Sequence, residues 1–397
     1  MGQPKLLPMR ESFLLAALLS ALAVSPASGQ FASCIANLRP QALASGVSAE
    51  TYDSVTRGLT PNDAPSFLDN QPEFTTPVWD YLAALVDDER VTDGRARLAQ
   101  YARVLANAER DYGVDRYTVI AVWGVESDYG RSIGKRYIVQ SLASLSCEGR
   151  RQDYFRTEFF AALKILQNRD MTPDEMMGSW AGAFGHTQFM PSTFHRFAVD
   201  HDGDGKRDIA GSIPDALGST ANYLRKSGWE TGQSWGYEVK LPANYSGPEG
   251  RRVKHPMSFW EKKGLRRIDG KPLGNGVAGL VLPAGKEGPA FLVTRNFDAI
   301  FSYNASLSYG LAIAHLSDRL RGGKPFATPW PTDDPGLSRA ERRELQTLLT
   351  RKGYDIGPSD GVIGEKTRQA IAEIQSRAGL ARDGRASKKV LSYLRGS

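Results

Sequence analysis

Glu126 ends a nearly all-apolar stretch within residues 122–131, VWGVESDYGR. Residues 117–125 are apolar almost all round, which predicts a buried helix. A carboxyl group at the end of such a helix is partly desolvated, and desolvation disfavours its charged form. A glutamate so placed can stay protonated near neutral pH and give its proton to a leaving oxygen, the general-acid half of glycosidic cleavage. Gly124 leaves room beside it for a sugar or another helix. Alone, such a glutamate is more often a structural carboxylate satisfied by hydrogen bonds.

The surroundings change that balance. Residues 179–192, SWAGAFGHTQFMPS, are rich in small residues and glycine, with Ser179 and Gln188 able to hydrogen-bond a substrate. Together with Glu126, Ser127 and Gly130, this stretch resembles the lytic transglycosylases, and most closely the lytic murein transglycosylase B family, glycoside hydrolase family 103. The resemblance spans residues 71–320. It implies that Glu126 is the catalytic glutamate, and that Tyr81, Ser179, Gln188, Tyr223, Tyr303, Asn304 and Tyr309 form a substrate cleft. A hydrolase ordinarily needs two carboxylates about the bond. The family pattern supplies one, and Asp128, two residues along a helix, points to a different face. The implied reaction uses Glu126 first as acid and then as base. It breaks the β-1,4 bond between N-acetylmuramic acid and N-acetylglucosamine and closes a 1,6-anhydro ring, with no cofactor required. A hydrolytic muramidase and a non-catalytic wall-binding scaffold remain as alternatives.

A second cluster, residues 200–211 (DHDGDGKRDIAG), has Asp200, Asp202 and Asp204 at loop positions 1, 3 and 5 and Lys206 at position 7. That follows a calcium loop until position 12, where Gly211 stands in place of the bidentate glutamate. The resembling family closes an atypical calcium loop with a later aspartate, matched here by Asp215 one residue further on. A structural calcium and a metal-free acidic turn both fit.

The elements that must position these groups read as mainly α (α+β) with a small strand-rich insertion, and the resemblances imply a lysozyme-like helical catalytic domain followed by a small three-helix domain. Apolar periodicity predicts helices over 95–112, stopped by Gly113, and over 157–167, 215–226 and 307–320. Glycine, proline and alternating runs at 237–241 and 290–293 predict strands in an insertion at about 234–298. The catalytic domain is expected over 30–321 and a Pro/Gly linker over 322–336. Residues 337–397 resemble the peptidoglycan-binding domain 1 family, on ELQTLLTRKGYDIGPSDGVIG and the D-G-x-x-G-x-x-T run, with Leu345, Leu348, Leu349, Ile371 and Ile374 as core. Read as a tether, this module would be dispensable for cleaving soluble strands.

The formal charge of +6 over 397 residues is placed mostly in that module, where 13 Lys/Arg stand against 7 Asp/Glu from Ser338 onward. A basic module suits an anionic partner. No nucleic-acid reader motif accompanies it, and glycan strands of peptidoglycan are the expected partner of a monomeric enzyme. Lys5 and Arg10 precede a twelve-residue apolar run, too short to span a bilayer but suited to a secretory signal over residues 1–29. Export to the periplasm without stable membrane insertion follows. There an even pair, Cys34 and Cys147, reads as a disulfide. A lipid anchor at Cys34 fits worse, because FASC lacks the usual leucine and lies well past the apolar run.

Overall fold

The computed structural model describes residues 26–68 and 76–396. The expected export signal lies outside the described residues through Ser25, and from Pro26 the chain runs in the helix Pro26–Ala44.

The helix Arg116–Ser127 is the axis of the larger domain. Asp115 caps its start by accepting from the Thr118 amide at 3.0 Å, and Val119 through Trp123 are essentially solvent-free. A helix apolar all round must be enclosed, and Asp88–Gln100, Ala102–Tyr112, Ile213–Lys226 and Leu307–Leu320 enclose it. The sequence predicts one helix over 95–112. Two form instead, broken at Tyr101 (φ −106°), and the break lets both halves pack on the central helix, with the Tyr101 ring edge-on to Trp123 at 5.6 Å. Gly113 stops the second half with φ +69°, as expected of a helix C-cap. A bond between Cys34 and Cys147, with Cα atoms 5.9 Å apart, ties the helix Pro26–Ala44 to the end of Ile138–Cys147.

The expected strands pair in one antiparallel five-stranded sheet, ordered Lys254–Pro256, Val277–Val281, Ala290–Val293, Gly236–Lys240, Arg266–Arg267. Alternation of side chains splits its burial. Leu280, Ala290 and Leu292 face a local core with Trp260 and Met257, whereas Val281, Phe291 and Val293 join the helical core.

Residues 322–336 run along the catalytic domain. Phe326 stacks on His315 at 3.8 Å, Trp330 meets Trp79 at 6.4 Å, and Glu238 accepts from the amides of Ala327 and Thr328. The C-terminal domain is three helices, Arg339–Arg351, Glu365–Arg377 and Lys388–Gly396. Leu345, Leu349, Ile371 and Ile374 form its core with Val390 and Leu391, and Leu348 packs against it half-buried. Thr367 enters the second helix, which Gly364 precedes as N-cap. Among the described residues no helix is long and apolar enough to cross a membrane.

Candidate active site

Glu126 is half-buried in the last turn of the central helix. The helix closes one residue after Ser127, because Asp128 takes a left-handed conformation (φ 51°) and Tyr129 follows with φ 58°. Such values cost L-residues about 1–2 kcal/mol each, so other groups must hold this corner. The Ser127 hydroxyl, 1% exposed, donates to the His186 carbonyl at 2.5 Å and accepts from the Gly130 amide at 3.0 Å. Trp123 Nε1 donates to His186 Nδ1 at 3.2 Å, and Tyr129 donates its hydroxyl to the Arg90 carbonyl at 2.9 Å. Arg90 returns a guanidinium hydrogen bond to the Gly124 carbonyl at 2.6 Å. A cation at a helix C-terminus complements the negative end of its dipole.

The space expected beside Gly124 is not open to a sugar. The Tyr129 ring fills it, with a carbon that would lie 2.8 Å from a Cβ at this position.

Tyr309, from the first turn of Leu307–Leu320, donates its hydroxyl to Glu126 Oε1. Burial, then the negative charge of Glu126, push the Tyr309 hydroxyl well above the ordinary phenol range, so it stays a donor. Tyr303 stacks on Tyr309 at 6.3 Å and meets the Tyr223 ring at a tilt, 4.6 Å away. Its hydroxyl donates to the Thr187 carbonyl at 2.8 Å, and Tyr223 donates to the Ser302 carbonyl at 2.7 Å. Tyr81, on the helix Val78–Leu85, lies close enough to act electrostatically on the Tyr309 hydroxyl. The structure therefore brings Glu126, Tyr309, Tyr303, Tyr223 and Tyr81 to one place.

Gln188 and Ser179 are held by backbone groups of the surrounding loops. Gln188 Nε2 donates to the carbonyls of Ile133 and Gly185, at φ 52°, while the Ser179 hydroxyl accepts from the Ala183 amide at 3.1 Å. Asn304 is half-buried between Tyr303 and Ala305, another left-handed non-glycine at φ 34°. Gln188, Tyr223 and Tyr303 line a cavity of about 540 Å³, together with Tyr154, Glu158 and Arg196. Buried Glu158 was not legible as part of this wall. It accepts from the Ser192 amide and hydroxyl at 2.9 and 2.7 Å, fixing the start of the helix Pro191–Phe197. A cavity of about 410 Å³ at the opposite end of the central helix, beside Thr118 and Trp235, is remote from Glu126 by about 12 Å of helix.

Asp128 does not face Glu126 as a second acid. It pairs with Arg339 of the C-terminal domain at 2.7 Å and with Arg90 at 3.6 Å. At the acidic loop, Asp200, Asp202 and Asp204 carry exposed carboxylates within 4.8 Å of one another. Asp215 turns inward: Oδ1 accepts from the amides of His201 and Asp202, and Oδ2 from that of Asp208 at 2.9 Å. Fully buried and committed to three backbone donors, it organises the loop from inside.

Residues 30–318 match the family described as Transglycosylase SLT domain, and residues 338–394 match Putative peptidoglycan binding domain. Membrane-bound lytic murein transglycosylase B of Escherichia coli K12 is 34% identical over 275 residues, 68% of this chain and 74% of that protein. The crystal structure of SltB3 from Pseudomonas aeruginosa in complex with NAG-anhNAM-pentapeptide is 46% identical, with a TM-score of 0.74 over 92% of this chain and 99% of that one. The Escherichia coli lytic transglycosylase Slt35 in complex with calcium is 29% identical, with a TM-score of 0.64 over 74% and 93%. The chain belongs to the SLT transglycosylase family, and it is a peptidoglycan lytic transglycosylase with a peptidoglycan-binding domain at its C-terminal end.

Proposed function

We propose that Glu126 alone carries both proton transfers in the cleavage of the β-1,4 bond between N-acetylmuramic acid and N-acetylglucosamine. The Glu126–Tyr309 hydrogen bond, inside a wall of Tyr303, Tyr223 and Tyr81, carries this reading. Glu126 protonates the glycosidic oxygen as the C1–O4 bond breaks. The muramyl N-acetyl group supports the developing positive charge at C1. Glu126, now a carboxylate, takes the proton of the C6 hydroxyl as O6 bonds to C1, so the proton lost by O6 replaces the one given to O4. No water enters, and ring closure gains from intramolecular proximity. The nearest carboxylate in sequence, Asp128, is committed to arginines, which supports a mechanism with one carboxylate.

The remaining cleft residues position the sugar. Gln188, held by its amide nitrogen, offers its carbonyl oxygen, and Ser179, Asn304 and the tyrosines complete the walls. Wall strands are the substrate and the C-terminal domain binds them. Export places the enzyme in the periplasm, where the engaged Cys34 thiol favours a disulfide over a lipid anchor. The three converging carboxylates of Asp200, Asp202 and Asp204 suit a structural calcium, completed by the Lys206 carbonyl. Asp215, occupied by amides, would support the loop from behind it.

Digestion of purified sacculi tests the core of this reading. Glu126→Gln abolishes cleavage with the fold retained, and wild-type products have the mass of anhydro ends. Products heavier by one water would mean a hydrolytic muramidase, and near-normal activity in Glu126→Gln would remove that residue from its role.

A further inference from the structure

The C-terminal domain reaches the catalytic corner through one side chain. Arg339, the first residue of the helix Arg339–Arg351, is 12% exposed at its side chain. Its Nη1 donates to Asp128 Oδ2 at 2.7 Å and its Nη2 to Asp93 Oδ2 at 3.2 Å, while its Nε lies 3.3 Å from Glu89 Oε2. Its backbone amide donates to Asp87 Oδ2 at 3.1 Å. Asp87 in turn caps the helix Asp88–Gln100, accepting from the Arg90 amide at 2.8 Å. One carboxylate thus stands at the N-termini of two helices from two domains, where the dipoles favour negative charge.

The charges explain why this contact matters to the site. Asp87, Glu89, Asp93 and Asp128 gather beside the negative C-terminal end of the central helix. From the catalytic domain, Arg90 and Arg131 face them. Two cations against four carboxylates leave the corner short of positive charge, and Arg339, Arg342 and Arg343 of the C-terminal domain supply it. Asp128, the residue Arg339 holds most closely, is the left-handed cap two positions after Glu126. A second clasp ends beside another cleft residue. Arg385 pairs with Asp80, adjacent to Tyr81, and Gly336 passes so close that a Cβ there would lie 2.7 Å from Asp80 Oδ1.

We propose that Arg339 is a positioning residue for the reaction. By clamping Asp128 it fixes the end of the helix that presents Glu126, so docking of the C-terminal domain sets the geometry of the catalytic acid as well as attaching the enzyme to the wall. This rests on Glu126 being the catalytic group. It reverses the expectation from sequence that the module is a tether dispensable for soluble substrate.

The test uses the full chain and soluble, peptide-free glycan strands, on which wall attachment contributes nothing. Arg339→Ala lowers kcat about tenfold or more, since small displacements of a reacting group can cost up to about a hundredfold, while KM stays within about twofold. Arg339→Lys, which keeps the charge, recovers part of the loss. Sacculus binding by Glu126→Gln is the same with and without Arg339→Ala. Asp128→Asn lowers kcat in the same way, and combining it with Arg339→Ala adds little further loss. Should Arg339→Ala fail to fold, Arg339→Lys and Asp128→Asn, singly and together, provide the same comparison. A kcat within twofold of wild type in Arg339→Ala, or fully additive losses in the double variant, would overturn the proposal. Residual activity in Glu126→Gln would instead overturn the assignment beneath it, so the two failures are distinguishable.

Discussion

The Tyr309 hydroxyl donates to Glu126 Oε1 across 183 positions of sequence, joining the first turn of one buried helix to the last turn of another. A donor held to a carboxylate stabilises the ionised form, the form that must accept the C6 proton in the second half-reaction. Tyr309→Phe keeps the ring against Tyr303 and removes only this bond. A hydrogen bond to a charged group is worth about 1.5–3 kcal/mol, so kcat on soluble strands should fall by about ten- to a hundredfold. A kcat within twofold of wild type in Tyr309→Phe would leave the bond without a part in proton transfer.

Gly124 makes the corner sensitive to a single methyl group. A Cβ there would stand 2.7 Å from both the Tyr129 hydroxyl and its ring, and Tyr129 is 3% exposed with nowhere to retreat. Overpacking of this kind costs about 1–3 kcal/mol. Gly124→Ala should lower the melting temperature and, by pushing Tyr129 away from the Arg90 carbonyl, lower kcat as well. Thermal denaturation beside a rate measurement checks both; a stable and fully active variant would show that the corner can relax.

The helix that presents Glu126 can be read from sequence because it is strongly patterned, whereas the cleft tyrosines come only from the family resemblance. The apolar run to Val125 specifies a buried helix whatever its partners, so Glu126 falls at its end. Tyr309 lies in a helix with equally plain periodicity. What holds Glu126 is less visible. Arg90 is 5% exposed, yet it sits in DERVTDGRARLAQ, a stretch whose composition suggests a solvated face. Arg339 and Asp128 are 211 positions apart, and neither has a local pattern that names the other. Long-range ion pairs leave no periodicity, whereas helices and turns do.

His315 should make the fold acid-sensitive. It is 6% exposed, stacked on Phe326, and burial followed by the charge of Arg319 lowers it to about 3. A histidine kept neutral in the fold takes up a proton on unfolding. Its contribution is therefore present above its unfolded value near 6.5 and lost as pH falls toward about 3. Between pH 7 and pH 5 the loss amounts to about 2 kcal/mol. His315→Phe keeps a ring for the stack and removes this dependence. Denaturant titrations of both proteins at the two pH values measure it, and parallel losses would exclude His315 as the source.

The acidic loop gives a metal-dependent prediction separate from catalysis. Asp200 accepts from the amides of Gly203, Asp204 and Gly205, so the turn is shaped by its own backbone, but three exposed carboxylates still converge within 4.8 Å. Their mutual repulsion is what a divalent cation relieves. Adding calcium to chelated protein should raise the melting temperature, with about 2.7 kcal/mol gained at a hundred times the dissociation constant. Asp204→Asn should weaken that response while leaving kcat on soluble strands unchanged at temperatures well below melting. Asp215→Asn should instead destabilise the protein with or without calcium, since its carboxylate serves the amides of His201, Asp202 and Asp208. A melting temperature indifferent to calcium would leave the loop as an acidic turn organised by Asp215 alone.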